Sequence, residues 1–287
     1  MVRRVSPAQA RTQIRQAQAR AKQAVDRYNQ QVRKVNRAID DYNRAARTHN
    51  TQVRVNRQRL RAALQQMNAR PRASTTKYVT YRTSVTRVER SFTAVDAAAA
   101  AGQMGAAPRV LDLVEAEAAS SVETLNDLLD TPASAQALDL RMTVLVDELA
   151  EIAPELDARW RGALFALHPE NPDAARHFCT SAREIISDIL DAEAPDSAVK
   201  DAIPNYPKTP NGSVSRRAKI LYFLERSGHA HDALTDFVET DIESVISLFT
   251  DFNRATHGAA GTFDLAQLAA IKRRVEGAIQ FIHGLVR

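Results

Sequence analysis

The sequence predicts an all-α protein in which a long N-terminal coiled-coil helix or helical hairpin precedes an α-helical bundle. Three observations predict this class. Apolar residues recur every 3.5 positions through the first 70 residues, and apolar patterns of helical period continue beyond them between proline and glycine breaks. No run alternates convincingly with period two. About 200 of the 287 residues remain for a body that can bury its own core.

The first helix is predicted to begin near Pro7, with Ser6 as its N-cap, and to end at Arg70-Pro71. A second helix is predicted over residues 78–95 from apolar positions three and four apart, although the Thr and Val content of 77–88 also permits a strand. Such a helix would fold back on the distal part of the first. With position a at Val25, the apolar seam of the first helix reads Val25, Tyr28, Val32, Val35, Ile39, Tyr42, Ala46, His49, Val53, Asn56, Leu60, Ala63 and Met67.

Composition predicts three parts: a basic coiled coil or helical hairpin over 1–96, an Ala/Gly linker over 97–108, and an all-α domain over 109–287. The stretch 194–212 holds four prolines and is predicted to be a long loop. Helices of the last part are predicted at 109–129, 135–152, 155–167, 172–190, 215–226, 231–250 and 263–286.

Charge is divided unevenly along the chain. Residues 1–72 hold 18 Lys and Arg against three Asp, or +15, and the remainder holds 21 bases against 31 acids, or −10. Basic segments of this density usually meet nucleic acid, an acidic membrane surface or an acidic protein face. The single cysteine, Cys179, excludes an internal disulfide framework and fits a reducing compartment. With no bilayer-spanning run and no secretory signal, we expect a cytoplasmic protein, and the arginine excess over lysine, 32 to 7, indicates a bacterial source.

The charges of the first helix lie away from its seam. Over residues 24–52 the e positions are Asn29, Asn36, Asn43 and Asn50, and the g positions are alanine or glutamine. This arrangement predicts pairing into a homo-oligomer through the seam. The outer face is then free for the phosphates of RNA or DNA, without base specificity, or is simply solvated. Its candidate nucleic-acid-binding residues are Arg27, Arg33, Lys34, Arg37, Arg44, Arg47 and Arg54.

A second basic cluster opens a helix of the body. Arg216 and Arg217 stand in the first turn, where the helix dipole favours acids. A bound anion would explain them, and they are further candidates for nucleic-acid binding. Carboxylates from a neighbouring loop would explain them equally well.

The strongest local pattern is Asp251-Phe-Asn-Arg-Ala-Thr-His257-Gly258, in which Asn253 and His257 share a helix face and Arg254 stands beside them. Imidazole can take or give a proton at a ribose oxygen, and guanidinium can stabilise a phosphate, so the pattern suits RNA cleavage. The alternative is a helix C-cap with Gly258 in the left-handed turn. Arg183 in the 172–190 helix is a further candidate, or half of a surface ion pair with Glu184. Neither a metal site nor a cofactor motif is expected.

Several segments resemble a known family: 112–129, 156–164, 176–190, 216–220, 251–258 and 271–279. Together they resemble the predicted pPIWI-associating nucleases, helical proteins encoded among prokaryotic defence genes, over roughly residues 75–287. This resemblance implies a nuclease of bacterial antiviral defence, with other defence subunits as possible partners.

The Asn253–His257 segment also resembles, more weakly, the HEPN ribonucleases, whose motif is Arg, four to six residues, then His, acting at a dimer interface without metal. Only two residues separate Arg254 from His257, so the catalytic arginine would come from another helix, as Arg183 or Arg217. We therefore expect a metal-independent RNase, with His257 as general acid/base, Arg254 or Arg183 on the phosphate, and Asn253 orienting its partners. The alternative is a non-catalytic coiled-coil scaffold that binds nucleic acid or another defence subunit.

Overall fold

A computed structural model describes residues 7–69, 78–104, 108–130, 140–168, 170–171, 173–256 and 265–287. Several positions inside the helices, among them 252–256, are described by their backbone alone. The described residues contain helices joined by turns, with a single isolated bridge between Lys208 and Val214 and no strand. The predicted all-α class is confirmed.

The helices are α1 Pro7–Ala69, α2 Val79–Ala100, α3 Pro108–Leu129, α4 Glu148–Ile152, α5 Pro154–Ala166, α6 Ala174–Glu193, α7 Asp196–Ala202, α8 Arg216–Arg226, α9 Asp232–Thr256 and α10 Leu265–Val286.

The chain has two compact units. One unit is Met1–Gln52 and the other is Val53–Arg287, so the boundary falls inside α1. The distal part of α1 belongs to the larger unit because Leu60, Ala63 and Met67 are buried in its core. In the smaller unit the described seam residues Val25, Tyr28, Val32, Val35 and Ile39 are exposed by 38% to 66%.

The distal part of α1 packs on α3. The Nδ2 of Asn126 donates to the carbonyl of Ala63 at 2.9 Å, and Arg59 pairs with Glu123 at 2.6 Å. Helix α2 lies mainly along α9, and it also contacts the distal part of α1 through the pair between Arg57 and Asp96. Small hydroxyl side chains permit this close approach, since Ser84 Oγ donates to Ser244 Oγ at 3.1 Å.

Residues 79–100 form helix α2, which settles the choice between helix and strand. Its N-cap, Tyr78, adopts a left-handed conformation with φ 55° and supplies no side-chain cap. The carboxylate of Asp251 replaces that cap, because it accepts a hydrogen bond from the Tyr81 backbone N–H at 2.7 Å. The first residue of the strongest sequence pattern thus fixes α9 to the start of α2.

Two other predicted elements differ from the structure. Residues 140–147 are irregular where a helix over 135–152 was expected, because their polar groups turn to a buried acid on α10: Thr143 donates to Glu276 at 2.6 Å. The predicted loop 194–212 contains α7, which begins directly after Pro195 and buries Val199 against Ala218.

Candidate active site

Helices α5, α6 and α9 enclose a cavity of about 520 Å³ that we call the α5–α6–α9 cavity. It lies in the larger unit and contains the predicted site residue Arg183. Hydroxyls, carboxylates and two guanidinium groups surround an apolar floor, which gives it the mixed character of a ligand site. The lining residues are Arg159, Cys179, Thr180, Arg183, Glu184, Ser187, Asp188, Phe249 and Thr250.

The two arginines of the cavity differ in their pairing. Arg159 pairs with Glu184 at 3.0 Å and with Asp188, so its charge is balanced. The expected pair between Arg183 and its neighbour Glu184 does not form. Arg183 is exposed and makes no ion pair with any residue that the structure describes. It is therefore the guanidinium of this cavity that is available to a phosphate.

The cysteine that lines the cavity is not a nucleophile. Cys179 is 1% exposed, and burial raises the pKa of its thiol to about 12. Because attack requires the thiolate, the group stays inert near neutral pH. The cavity consequently offers charge and hydroxyl groups, rather than covalent chemistry on sulfur.

Helix α9 carries the other candidate residues past the cavity. Phe249 and Thr250 line it, and α9 continues to Thr256, so Asn253 and Arg254 follow four residues after them, about 6 Å further along the axis. The side chains of Asn253 and Arg254 are not described, and His257 lies outside the described residues. The backbone thus brings the helix that bears Asn253 and Arg254 alongside Arg183.

The structure separates the two arginines that the sequence offered as partners for His257. Arg217 pairs with Asp236 at 2.6 Å and with Glu239 at 2.8 Å, and these carboxylates raise its pKa by hydrogen bonding to it. Glu239 precedes Thr250 by eleven residues, or about 16 Å of helix. Arg217 therefore sits towards the other end of α9, and Arg183 is the arginine beside the cavity.

The sequence left two explanations for the basic residues at the start of α8, a bound anion or neighbouring carboxylates. The second explanation fits Arg217 and also Lys219. Lys219 pairs with Asp191 at 2.9 Å and with Asp196 at the start of α7. Arg216 is half-buried and pairs with no described residue. The role of Arg216 and Arg217 in binding nucleic acid stays a prediction.

The basic outer face of α1 is exposed as the heptad predicts. Each of its candidate residues is exposed and makes no ion pair with a described residue. Further along the helix, by contrast, Arg57 pairs with Asp96 and Glu115, and Arg59 pairs with Glu123. Arg57 and Arg59 thus pair with acidic residues of the larger unit, whereas the outer face has no described carboxylate partner. That face comprises Arg27, Arg33, Lys34, Arg37, Arg44, Arg47 and Arg54.

Sequence reasoning missed a charged cluster at the centre of the bundle. Arg274 of α10 is 0% exposed and contacts both Glu117 of α3 and Asp241 of α9. Ser121 donates to Asp241 at 3.1 Å, and the Tyr81 hydroxyl donates to the Ser121 carbonyl at 3.1 Å. The cluster ties together four helices, including the one that carries Asn253 and Arg254. We call Arg274, Glu117 and Asp241 the core triad.

A signal for the core triad was present in the sequence. Arg274 stands three residues after Ile271 and four before Ala278, which places it on the apolar face of its helix. Asp241 stands in the same way between Val238 and Val245. Charges of opposite sign on the apolar faces of separate helices indicate a buried ion cluster, since an unpaired buried charge is strongly unfavourable.

The core triad holds a proton on Glu117. Burial raises the pKa of Glu117, the Arg274 charge opposes that change, and the Asp241 carboxylate adds to it, so the value moves from 4.5 to about 8. Near neutral pH Glu117 therefore keeps its proton beside the Arg274 guanidinium. Burial lowers the pKa of Arg274, but the charges of Asp241 and Glu117 outweigh this and raise it.

We expect Glu117→Gln to remove part of the pH dependence of stability. Between pH 4.5 and 8 the folded chain keeps a proton that the unfolded chain releases, so stability is highest below this range and falls as the pH rises through it. Glutamine keeps a donor for Asp241 and an acceptor for Arg274 without titrating. Urea unfolding at pH 5 and pH 8 measures the difference.

Glu123→Gln is the control for this substitution. Glu123 also lies on α3, but it pairs with Arg59 at the surface. It should leave the pH dependence of the wild type unchanged. A Glu117→Gln variant that loses as much stability as the wild type between pH 5 and pH 8 would contradict the protonated state of Glu117.

Over the described ranges, no group of three or more His, Cys, Asp and Glu side chains is placed to hold a metal ion. Within the same ranges, no helix is both long and apolar enough to cross a membrane.

The cavity helices lie inside a stretch that matches a known family. Residues 149–282 match the family model described as predicted pPIWI-associating nuclease. The match includes the cavity lining, Asn253, Arg254 and His257, whereas Glu117 and the similar segment 112–129 precede it. No curated protein and no solved structure gives a significant match. The resemblance seen in the sequence is thus confirmed over residues 149–282, which match the predicted pPIWI-associating nucleases.

Proposed function

We propose that this chain is a metal-independent ribonuclease with its active site at the α5–α6–α9 cavity. The observation that carries the proposal is Arg183, which lines the cavity without a carboxylate partner beside the helix that bears Asn253 and Arg254. The matched family is described as nucleases, and this cavity lies within the matched residues. We place the activity in the cytoplasm of a bacterium, as part of antiviral defence.

The proposed reaction uses the 2′-hydroxyl of RNA as the nucleophile. The 2′-oxygen forms a bond to phosphorus, the bond from phosphorus to the 5′-oxygen breaks, and the products carry a 2′,3′-cyclic phosphate and a 5′-hydroxyl. His257 accepts the proton of the 2′-hydroxyl while water protonates the leaving 5′-oxygen, or His257 protonates the 5′-oxygen while water takes the 2′-hydroxyl proton. Arg183, with Arg254, balances the charge that develops on the phosphate. Asn253, four residues before His257, orients the imidazole or the substrate.

The outer face of α1 would hold RNA for this reaction. Its arginines are exposed and lack described carboxylate partners, so each can neutralise a phosphate. Binding of this kind releases counterions and weakens steeply with salt, without preference for sequence. Specific cleavage, in contrast, depends on the cavity.

We expect Arg183→Ala to lower the rate of RNA cleavage about 100-fold to 1,000-fold, the usual loss when one group that stabilises an oxyanion is removed. Arg183 is exposed and supports no described ion pair, so the substitution should leave the fold intact. The measurement is the initial rate of cleavage of a labelled structured RNA in the presence of a chelator.

Arg176→Ala is the matched control. Arg176 lies seven residues earlier on the same face of α6, is exposed, and does not line the cavity. It removes the same charge from the same helix. Equal rates for the two variants would contradict a catalytic role for Arg183.

The second candidate function is a non-catalytic scaffold. It is favoured by the exposed apolar seam at residues 25–39, which serves assembly and makes no use of the cavity. A scaffold would bind nucleic acid or another defence subunit through α1 and leave RNA intact. Binding of RNA that is fully retained by the His257→Ala variant, with no cleavage by the wild type, would favour this function.

A further inference from the structure

The apolar seam of α1 has two different environments. Over residues 56–67 the larger unit covers it, and Asn56, Leu60, Ala63 and Met67 are buried. Over residues 25–39 each described seam position is exposed. A regular apolar stripe of this length is normally covered by another helix. We therefore expect the exposed part of the seam to bind a partner. The residues at the flanking e and g positions indicate which partner it is.

The residues that flank the seam, at positions e and g, differ between its covered part and its open part. In the covered part, Arg57 at position e pairs with Glu115 at 2.9 Å, and Arg59 at position g pairs with Glu123 at 2.6 Å. In the open part every e position is asparagine, and every g position is alanine or glutamine. The charged residues at the e and g positions of the covered part thus pair with an acidic helix of the larger unit. The open part has no charged residue at these positions. Its partner is therefore not another acidic helix such as α3.

Neutral flanks suit pairing with a second copy of the same helix. Two identical helices bring identical residues to the edges of their interface, where basic residues on both sides would repel. Here the bases occupy positions b, c and f, away from the seam. Two strongly basic helices can therefore pair while their charges stay on the outside.

We propose that two copies of this chain pair through residues 28–53 as an antiparallel coiled coil, with its centre between residues 40 and 41. In this register the flanks match by type, amide against amide and alanine against alanine. A parallel pair would instead set three of the four asparagines against alanine. The antiparallel flanking pairs are Asn29 with Asn50, Asn36 with Asn43, Gln31 with Gln52 and Ala38 with Ala45.

The same register fits the seam. It sets large residues mostly against smaller ones, whereas a parallel pair would stack Tyr28, Tyr42 and His49 on their own copies. The paired segment is about 38 Å long and stops just before Asn56, where the body covers the seam. Its layers are Ile39 with Tyr42, Val35 with Ala46, Val32 with His49 and Tyr28 with Val53.

This assembly is independent of the nuclease proposal, since it uses no residue of the cavity. It does account for the asparagine repeat, because amide groups on both helices can bond across the interface. It also leaves the outer basic face of each helix open to an anion.

Sedimentation equilibrium of the full chain tests the pairing. The wild type should be a dimer at micromolar concentration, and Val35→Glu with Ile39→Glu should raise the dissociation constant at least roughly 100-fold, since four carboxylates would be buried along the apolar seam without cationic partners. Both residues are exposed in the single chain, so the body should still fold. Circular dichroism and the melting temperature check that it does.

Gln30→Glu with Arg37→Glu is the control, because it places two glutamates at outer f positions of the same helix. This variant should remain a dimer. A wild type that stays monomeric up to 100 µM, or a control that dissociates as readily as the seam variant, would overturn the proposal. So would a monomeric wild type whose seam variant loses RNA binding, since the seam would then serve nucleic acid.

Cysteine cross-linking tests the direction of the helices. The native Cys179 is buried, so introduced thiols report alone. Asn29→Cys and Asn50→Cys should each fail to form disulfide dimers by themselves and should cross-link when the two variants are mixed. Efficient cross-linking in a mixture of Asn29→Cys and Ala24→Cys, which are the flanking neighbours in a parallel pair, would overturn the antiparallel arrangement.

Discussion

Arg274→Ala is expected to destabilise the larger unit by about 3–5 kcal/mol, the usual cost of leaving buried charges without their partner. The substitution removes the only cation that contacts both Glu117 and Asp241 among the described residues. These acids would then face each other in the core without a cation between them. Urea unfolding followed by circular dichroism measures the loss.

Arg273→Ala is the control for this prediction. Arg273 is the preceding residue of α10, and it pairs with Asp127 at the surface at 2.8 Å. Exposed pairs contribute about 1 kcal/mol or less, so this variant should unfold close to the wild type. If Arg274→Ala prevents folding altogether, Arg274→Lys keeps the charge and should recover part of the loss. An Arg274→Ala variant as stable as the control would contradict the role of the core triad.

His257→Ala is expected to lower RNA cleavage about 100-fold to 10,000-fold, the range that general acid–base catalysis contributes. No other histidine lies in the 251–258 segment, so no neighbouring imidazole can replace it. RNA binding at low salt should stay close to that of the wild type, because we propose that the affinity comes from the arginines on α1. Cleavage and binding should therefore separate in this variant.

His177→Ala is the matched control for His257→Ala. His177 is exposed on α6, where it lies 3.4 Å from Asp173, and it does not line the cavity. Its removal should leave both cleavage and binding unchanged. Cleavage that survives His257→Ala at the wild-type rate would contradict the assignment of the general acid/base.

The sequence predicted the helices well where the pattern is purely local. The seven-residue spacing of Val25, Val32 and Ile39 was sufficient to predict α1, and its predicted ends agree with Pro7 and Ala69. The same local reasoning expected a helix over 135–152. It could not anticipate that Thr143 would bond to Glu276, more than 130 residues away. Local periodicity carries no information about a distant polar partner.

The candidate site could be predicted only in part, because the sequence does not show which charged residues pair with each other in the folded chain. Arg183 and Arg217 are the same type of residue, and the sequence predicts a helix around each of them. Only the packed structure distinguishes them, because Arg217 meets Asp236 and Glu239 while Arg183 faces the cavity. The sequence shows which charged residues are present, whereas the tertiary contacts determine which of them remain without a carboxylate partner.

The seam of α1 shows how one pattern can serve two partners. The heptad runs without interruption from Val25 to Met67, so its periodicity alone implies a single interface. The structure covers the part around Leu60 and Ala63 with the body and leaves the part around Val32 open. The flanking residues, rather than the seam itself, distinguish the two parts.

The chemistry of the RNA products tests the central claim most directly. Structured RNA is incubated with the wild type and a chelator, and the new ends are identified by mass spectrometry. The proposed mechanism predicts 2′,3′-cyclic phosphate and 5′-hydroxyl ends that disappear with Arg183→Ala and persist with Arg176→Ala. Ends bearing 5′-phosphate, cleavage only with added divalent metal, or intact RNA under all conditions would contradict a metal-independent His/Arg ribonuclease.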